Sequence, residues 1–239
     1  MINLNVNIDH FATLRNARGG TEPCPILGAL KAEVAGATGI VCHLREDRRH
    51  IKDKDVYHLR DLIQTRLDFE MAANDEIIKI ALDVKPELVT IVPEKREELT
   101  TEGGLNVKGD LERFRALTEK FHEQGIEVSY FIEPCEEQID ACAAINADMV
   151  EIHTGTYANK FATNFEEEYT KIELAAKHAN ACELIIAGGH GLNYVNTAPL
   201  SKISEFREFS IGHSIVARSL YTGIEQAVRD MIDLMKRFE

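Results

Sequence analysis

Long hydrophobic runs are absent from this chain. No stretch of its 239 residues approaches the roughly 18 apolar residues that a membrane-spanning helix needs. The opening MINLNVNIDH has no basic flank followed by an apolar block, so no signal peptide is expected and the cytoplasm is the expected compartment. Positive charge is scarce too: 27 Lys and Arg stand against 40 Asp and Glu, a formal net charge of −13. A duplex-binding surface needs clustered cations to neutralise phosphates, so nucleic acid is not an expected partner. Small phosphorylated ligands are not excluded, because a local arginine and a few backbone N–H groups can hold one. The five cysteines, Cys24, Cys42, Cys135, Cys142 and Cys182, are odd in number and contain no C-x-x-C pair. They read as reduced, packed thiols, and no thiolate zinc site is expected from their spacing. Linkers rich in Pro or Ser and low-complexity tracts are also missing, which favours one domain over residues 1–239.

What is present is alternation. Short β-rich runs at Leu4–Ile8, Gly39–His43, Arg66–Glu70, Leu88–Val92, Glu127–Ile132, Met149–His153, Glu183–Ala187 and Glu208–Ile211 are separated by helical patterns. Most of these runs are apolar nearly throughout, as strands covered on both faces should be. Between them, Leu111, Phe114, Leu117 and Phe121 mark one helical stripe, and Ile224, Ala227, Val228, Met231, Ile232 and Met235 another. Gly36, Gly125, Asn146 and Asn180 each follow a helical stripe and precede a strand, where a left-handed residue ends a helix. Eight strands alternating with helices predict an α/β fold, a (β/α)8 TIM barrel with extra helices outside it. An open doubly wound sheet would call for a G-x-G-x-x-G loop after the first strand, and NVNIDHFATLRNARGG has none.

In such a barrel the chemistry belongs where strands end and βα loops begin. The strand ends supply Asp9-His10, His43 with Arg45, Glu70, Glu94, Glu133, Glu151-Ile152-His153, His190 and His213. Of the nine histidines, His10, His43, His50, His153, His190 and His213 fall at these ends or in the loops that follow. A single strand-end histidine more often braces structure than moves protons. Many titratable groups on one rim weaken that reading, because neighbours shift one another's pKa toward neutrality. Phosphate handling is legible on the same rim. Arg18-Gly19-Gly20, the basic loop HLREDRRH, the turn at Gly188–Gly191 and the segment Gly212-His213-Ser214 offer arginines, flexible backbone and a helix N-terminus. Two such regions suggest two phosphate subsites. Pro93–Asp110, with paired glycines and threonines, reads as a mobile lid.

These same segments resemble the pyridoxine 5′-phosphate synthase family. The likeness runs in order from VNIDHFATLRNARGG through HLREDRRHI, RLDFEMA, VPEKREELTTEGGL, EIHTGTYA and AGGHGLNY to IGHSIVARS. It implies condensation of 3-amino-2-oxopropyl phosphate with 1-deoxy-D-xylulose 5-phosphate to pyridoxine 5′-phosphate, phosphate and water. Neither metal nor organic cofactor would take part. By motif, His43 would be an acid–base group, Glu70 a second proton acceptor, His190 a proton donor and Glu151 a transition-state stabiliser. Asn7, Arg18, Gly191, Gly212 and His213 would bind the amino-ketone phosphate. Asp9, His10, Arg45, His50 and Thr100 would bind the deoxypentulose phosphate. The resemblance also implies a homo-oligomer, an octamer. The chain departs from the family pattern at Ala187-Gly188, where some members carry Asn-Ala; this bears on packing below His190. The residues alone leave two alternatives open. One is a metal-dependent isomerase using Glu151, His153, Glu70 and His190 as ligands; the other is a phosphate binder without turnover.

Overall fold

The computed structural model describes residues 2–94 and 103–237. Eight parallel strands close into a barrel in sequence order: β1 (Asn3–Asn7), β2 (Gly39–His43), β3 (Arg66–Met71), β4 (Leu88–Ile91), β5 (Glu127–Ile132), β6 (Met149–His153), β7 (Ile185–Gly189) and β8 (Glu208–Ile211). The last pairs with the first, Val6 opposite Ile211, so no edge is left open. Around it lie α1 (Asp9–Arg18), α2 (Pro25–Ala35), α3 (Asp53–Leu62), α4 (Asp75–Val84), α5 (Leu111–His122), α6 (Glu136–Ala144), α7 (Gly155–Lys160), α8 (Glu166–Ala181), α9 (Thr197–Leu200), α10 (His213–Thr222) and α11 (Ile224–Lys236). Connections after β1, β6 and β8 each carry two helices, the extra helices expected outside the barrel. No helix among the described residues is long and apolar enough to cross a membrane.

Strand side chains alternate between two different environments. Leu4, Val6, Ile40, Cys42, Leu67, Phe69, Val89, Ile91, Val128, Tyr130, Val150 and Ile152 belong to the main core formed with the helices. The alternate positions face the barrel interior and include Asn5, Asp68, Thr90, Ser129, Glu151, Glu208 and Ser210, all buried. Apolar side chains are fewer inside: Leu88, Met149 and Ala187 form a small cluster, and Val41 and Phe131 also occupy inward positions. The expectation of strands apolar on both faces therefore holds only for the outward one. Some of these interior polar groups pair: Thr90 donates to Asp68 at 2.7 Å, and Arg66 lies 3.4 Å from Glu208, whereas the buried Ser129 and Ser210 hydroxyls have no hydrogen-bond partner among the described residues.

β1, β3 and β4 differ from the expected runs by one residue, and two boundaries shift further. Gly36, Gly125 and Asn146 take positive φ as expected, but Asn180 stays inside α8 and Glu183 takes the left-handed conformation instead, at φ 61°. β7 consequently starts at Ile185, two residues later than the sequence suggests, and Gly188-Gly189 extend the strand rather than form a turn. Their lack of side chains has a packing reason. A Cβ on Gly188 would sit 2.9 Å from Phe206, and one on Gly189 would sit 1.9 Å from a Glu151 carboxylate oxygen.

Candidate active site

A cavity of about 700 Å³ opens at the carboxyl ends of the strands. The expected residues Asn7, Asp9, His10, His43, Arg45, His50, Glu70, Glu151, His190, Gly191, Gly212 and His213 all line it. Two do not join them here. Arg18 is the exposed last residue of α1, roughly 13 Å of helix from Asp9, and is absent from the lining. Thr100 lies outside the described residues, as does the middle of the Pro93–Asp110 segment. The later part of that segment is tied to β5: the Gly104 N–H donates to Glu133 at 2.8 Å and Leu105 N–H to the Phe131 carbonyl at 2.7 Å.

Around β1–β4 the site is a chain of carboxylates and histidines. Asp9 accepts from the His43 backbone N–H at 2.9 Å and from the Asn7 amide at 3.0 Å. That amide also lies 3.4 Å from Glu70. His43 Nε2 meets Glu94 at 2.8 Å, while its Nδ1 faces Glu70 at 3.9 Å. Burial would raise the Glu94 carboxyl. The His43 hydrogen bond, the Glu46 N–H and the nearby Arg45 outweigh it, and the pKa ends below the usual range. Glu70 goes the other way. Burial, then the negative charges of Glu151 and Asp9, push its carboxyl well above the ordinary value. Glu151 is raised likewise by burial and by Asp68 and Glu208. Below them, burial brings Asp68 up to about 7.

The basic loop after β2 divides its arginines. Arg45 and Arg49 reach the cavity lining. Arg48, at φ 52°, turns outward to Asp53 and Glu76. The loop is braced from α1, where buried Arg15 grips Asp55 with two 2.8 Å contacts and donates to the His50 carbonyl. Asn16 donates to the same carbonyl at 2.8 Å, so the expected binding segment around Arg18 contributes bracing here rather than lining. His50 Nδ1 accepts from the Ile51 N–H, which leaves Nε2 to carry the proton of the neutral ring. Burial lowers its pKa, with Asp9 opposing.

Around β6–β8 the material changes. His190 and Gly191 both take left-handed backbone, at φ 76° and 78°. Thr154 fixes the turn by donating to the carbonyls of Gly189 and His190, at 2.7 and 2.6 Å. Burial, with His153 alongside, lowers the His190 pKa to about 4. His153 packs 5.2 Å from the His190 ring and binds Glu133 through Nδ1 at 2.8 Å. Gly155 makes room for both rings; its Cβ would lie 2.3 Å from His153 Nε2. At β8, α10 starts at His213 with no side-chain cap, so the first backbone N–H groups beside Gly212 and Ser214 point to the cavity end. His213 packs edge-on against His10 at 5.1 Å, and burial, partly offset by Asp9, lowers the His10 pKa.

The site thus holds carboxylates and imidazoles from the ends of six strands (β1, β2, β3, β6, β7 and β8) around one space, with cationic side chains on one flank and a bare helix start on the other. Residues 4–237 match the model of the family described as pyridoxal phosphate biosynthesis protein PdxJ. The chain belongs to the PdxJ family. Its relatives in this family include the pyridoxine 5′-phosphate synthase of Chlorobium chlorochromatii, 54% identical over 98% of this chain and 99% of that one. The enzyme of the same name from Geobacter sp. (strain M21) is 53% identical, covering 99% of each. Among solved structures, KGPDC from Streptococcus mutans superposes with a TM-score of 0.65 over 100% of this chain and 99% of that one, at 16% identity. Thiamine phosphate pyrophosphorylase from Pyrococcus furiosus gives 0.64 over 99% and 96%, at 13% identity. These last two show the shared barrel, and the PdxJ likeness carries the rest.

Three groups engage the PdxJ site that the strand-end pattern supplied without a role in the synthase reading. Glu94 holds His43, while Glu133 and His153 stand behind His190. Their position at strand ends was the available signal; only the contact distances separate them from other rim residues.

Proposed function

We propose that this protein is a pyridoxine 5′-phosphate synthase, working as one domain, that joins 3-amino-2-oxopropyl phosphate to 1-deoxy-D-xylulose 5-phosphate and releases phosphate and water. Membership of the PdxJ family supports the reaction class. The observation that carries the assignment of roles is the meeting of His43, Glu70, Glu151 and His190 around one cavity. Imine formation, phosphate loss, water addition and ring closure each move protons at a different atom. One base cannot face every atom, so several groups with dissimilar pKa values fit the task.

Glu70, whose carboxyl burial and the charges of Glu151 and Asp9 raise, is the second proton acceptor, since a raised pKa makes its carboxylate a stronger base. His43, aligned by Glu94, relays protons beside it. Neutral His190 donates a proton from its ring N–H. Glu151, raised by burial, donates a hydrogen bond to developing negative charge as a neutral acid. One phosphate sits at the start of α10 with Gly191, Gly212 and His213; the other is held by Arg45 and His50 with Asp9 and His10 orienting the sugar. Thr100 is assigned to the second substrate with them.

Arg18 completes the amino-ketone phosphate site from another copy of the chain, since its own helix carries it away from its own cavity. A homo-oligomer, an octamer by family likeness, is therefore part of the proposal.

The test mixes purified protein with both substrates and follows fluorescent pyridoxine 5′-phosphate and released phosphate. Folded protein that binds both and makes neither product refutes the assignment. A metal-dependent isomerase is the second reading, on a different ligand set from the Glu151, His153, Glu70 and His190 of the sequence: among the described residues it is Asp9, His43 and Glu70 that offer ligand atoms within 4.8 Å of one another. Against it, Asp9 already accepts from His43 N–H and the Asn7 amide. Activity lost to a chelator and restored by a metal would favour it.

A further inference from the structure

Metal-ligating side chains converge at a second place among the described residues, on the outer helical layer. His178 and Cys182 stand one turn apart at the end of α8, and Asp140 reaches them from α6. His178 Nε2 lies 2.7 Å from an Asp140 carboxylate oxygen, and Cys182 Sγ lies 3.9 Å from each of the two. Thiol and carboxylate thus address the same imidazole nitrogen. In a nucleophilic triad they would occupy opposite nitrogens, so this is not a relay that activates sulfur. Three donor atoms facing a common point form a ligand set.

The spacing suits a tetrahedral ion. Zinc bonds of about 2.3 Å to sulfur and about 2.0–2.1 Å to nitrogen and oxygen separate sulfur from either lighter atom by roughly 3.5 Å, and nitrogen from oxygen by roughly 3.3 Å. The observed separations need side-chain shifts of only about half an ångström to match. Charge fits as well, because one thiolate and one carboxylate neutralise a divalent ion. Asp140 is exposed and the other two half-buried, so solvent can supply the fourth ligand.

We propose that Asp140, His178 and Cys182 form a site for a borderline-soft divalent cation, Zn²⁺ being the representative, that staples α8 to α6. On binding, the Cys182 S–H proton leaves to solvent and the sulfur lone pair goes to the metal. The His178 ring proton moves through solvent from Nε2 to Nδ1, freeing Nε2 to ligate. Asp140 exchanges its hydrogen bond with His178 for a metal–oxygen bond. Without metal, burial and Asp140 raise the Cys182 thiol, which rests as S–H aimed at the carboxylate. The site closes α8 just before β7 begins, at the end of the barrel opposite the cavity, where features serve stability.

Cobalt reports the sulfur directly. Chelator-treated, full-length protein titrated with Co²⁺ should develop a sulfur-to-cobalt charge-transfer band at one equivalent, bleached by Zn²⁺. The band should vanish in Cys182→Ser and weaken about tenfold or more in affinity in Asp140→Asn and His178→Gln. It should persist in His43→Asn, which disables the ligand group inside the cavity. At a hundredfold excess over Kd, Zn²⁺ should raise the unfolding midpoint by roughly 5–10 °C, and Cys182→Ser should cancel the rise. No band at millimolar cobalt, or a band that survives Cys182→Ser, overturns the site. Should one variant fail to fold, the change in the band of either of the others tests the site in its place.

Discussion

Strands β1–β4 and strands β6–β8 present histidines to one cavity in different surroundings. His43 stands between Glu94 and Glu70, with Asp9 on its backbone. His190 is buried beside another imidazole, and among the described residues no carboxylate hydrogen-bonds to it. Anion recognition divides the same way. The first half brings Arg45 and Arg49, while the second brings bare N–H groups at the start of α10. His43 has a carboxylate facing each ring nitrogen, whereas burial beside another imidazole favours a His190 that stays neutral. One rim thereby carries two histidines suited to opposite jobs.

The sharpest way to break that comparison is to remove the proton chemistry of the first half. Glu70→Gln or His43→Asn should lower turnover by about 10²-fold or more with KM nearly unchanged. Steady-state kinetics with each substrate varied separates the two quantities. A large KM effect with normal turnover would reassign these residues to binding.

Next in size is Arg18, which belongs to neither half of its own cavity. Removing a charge-assisted phosphate contact costs about 1.5–3 kcal/mol, so Arg18→Ala should raise the KM for the amino-ketone phosphate roughly ten- to hundredfold. Refolding Arg18→Ala together with Glu70→Gln should restore activity, because some mixed sites receive a native Arg18 beside a native Glu70. No recovery in mixed oligomers would return Arg18 to a role within its own chain.

A smaller effect probes the second half. Gly189→Ala would place a methyl 1.9 Å from the Glu151 carboxylate. Overpacking of this kind costs about 1–3 kcal/mol, read as a lower denaturation midpoint, and should move Glu151 enough to cut turnover. Normal stability and rate would mean that the neighbouring side chains yield more easily than the packing suggests.

These substitutions also mark how far the sequence could be read. Strand positions were legible because short apolar runs and helical stripes differ, and β2, β5, β6 and β8 fall where expected. β7 was displaced because Asn180 suits a left-handed helix end by type, yet α8 runs past it and Glu183, a residue type that does not signal such an end, takes that conformation. The polar interior was hidden by averaging: Asp68 lies between Leu67 and Phe69, and Glu151 between Val150 and Ile152, apolar neighbours that face outward. Rim residues were legible as strand ends, yet Glu94, Glu133 and His153 could not be ranked without distances. Arg18 shows the converse, a motif residue that its helix carries out of the cavity lining. The meeting of Asp140 with His178 and Cys182 joins separate helices, which spacing along one helix cannot foretell.

The mildest test exploits the two electrostatic settings through pH. A buried imidazole with pKa about 4 in the folded protein and about 6.5 unfolded binds its proton later in the native state. Between those values the unfolded chain holds more protons, so His190 makes the protein less stable as pH falls from 6.5 to 4. His10 and His50, both lowered, act in the same direction. Glu70 and Glu151 oppose them. Their raised carboxyls hold protons in the native state where the unfolded chain has released them, so their contribution is lost as pH rises through the folded values. The wild-type profile is therefore a compromise, and the informative quantity is a difference. His190→Asn keeps a residue tolerant of left-handed backbone and removes one titration. Urea unfolding at pH 7 and pH 4.5 should show the stability drop shrinking by on the order of 1–2 kcal/mol in this variant. An unchanged drop would mean that His190 protonates in the native state as readily as in the unfolded chain, and the contrast with His43 would lose its basis.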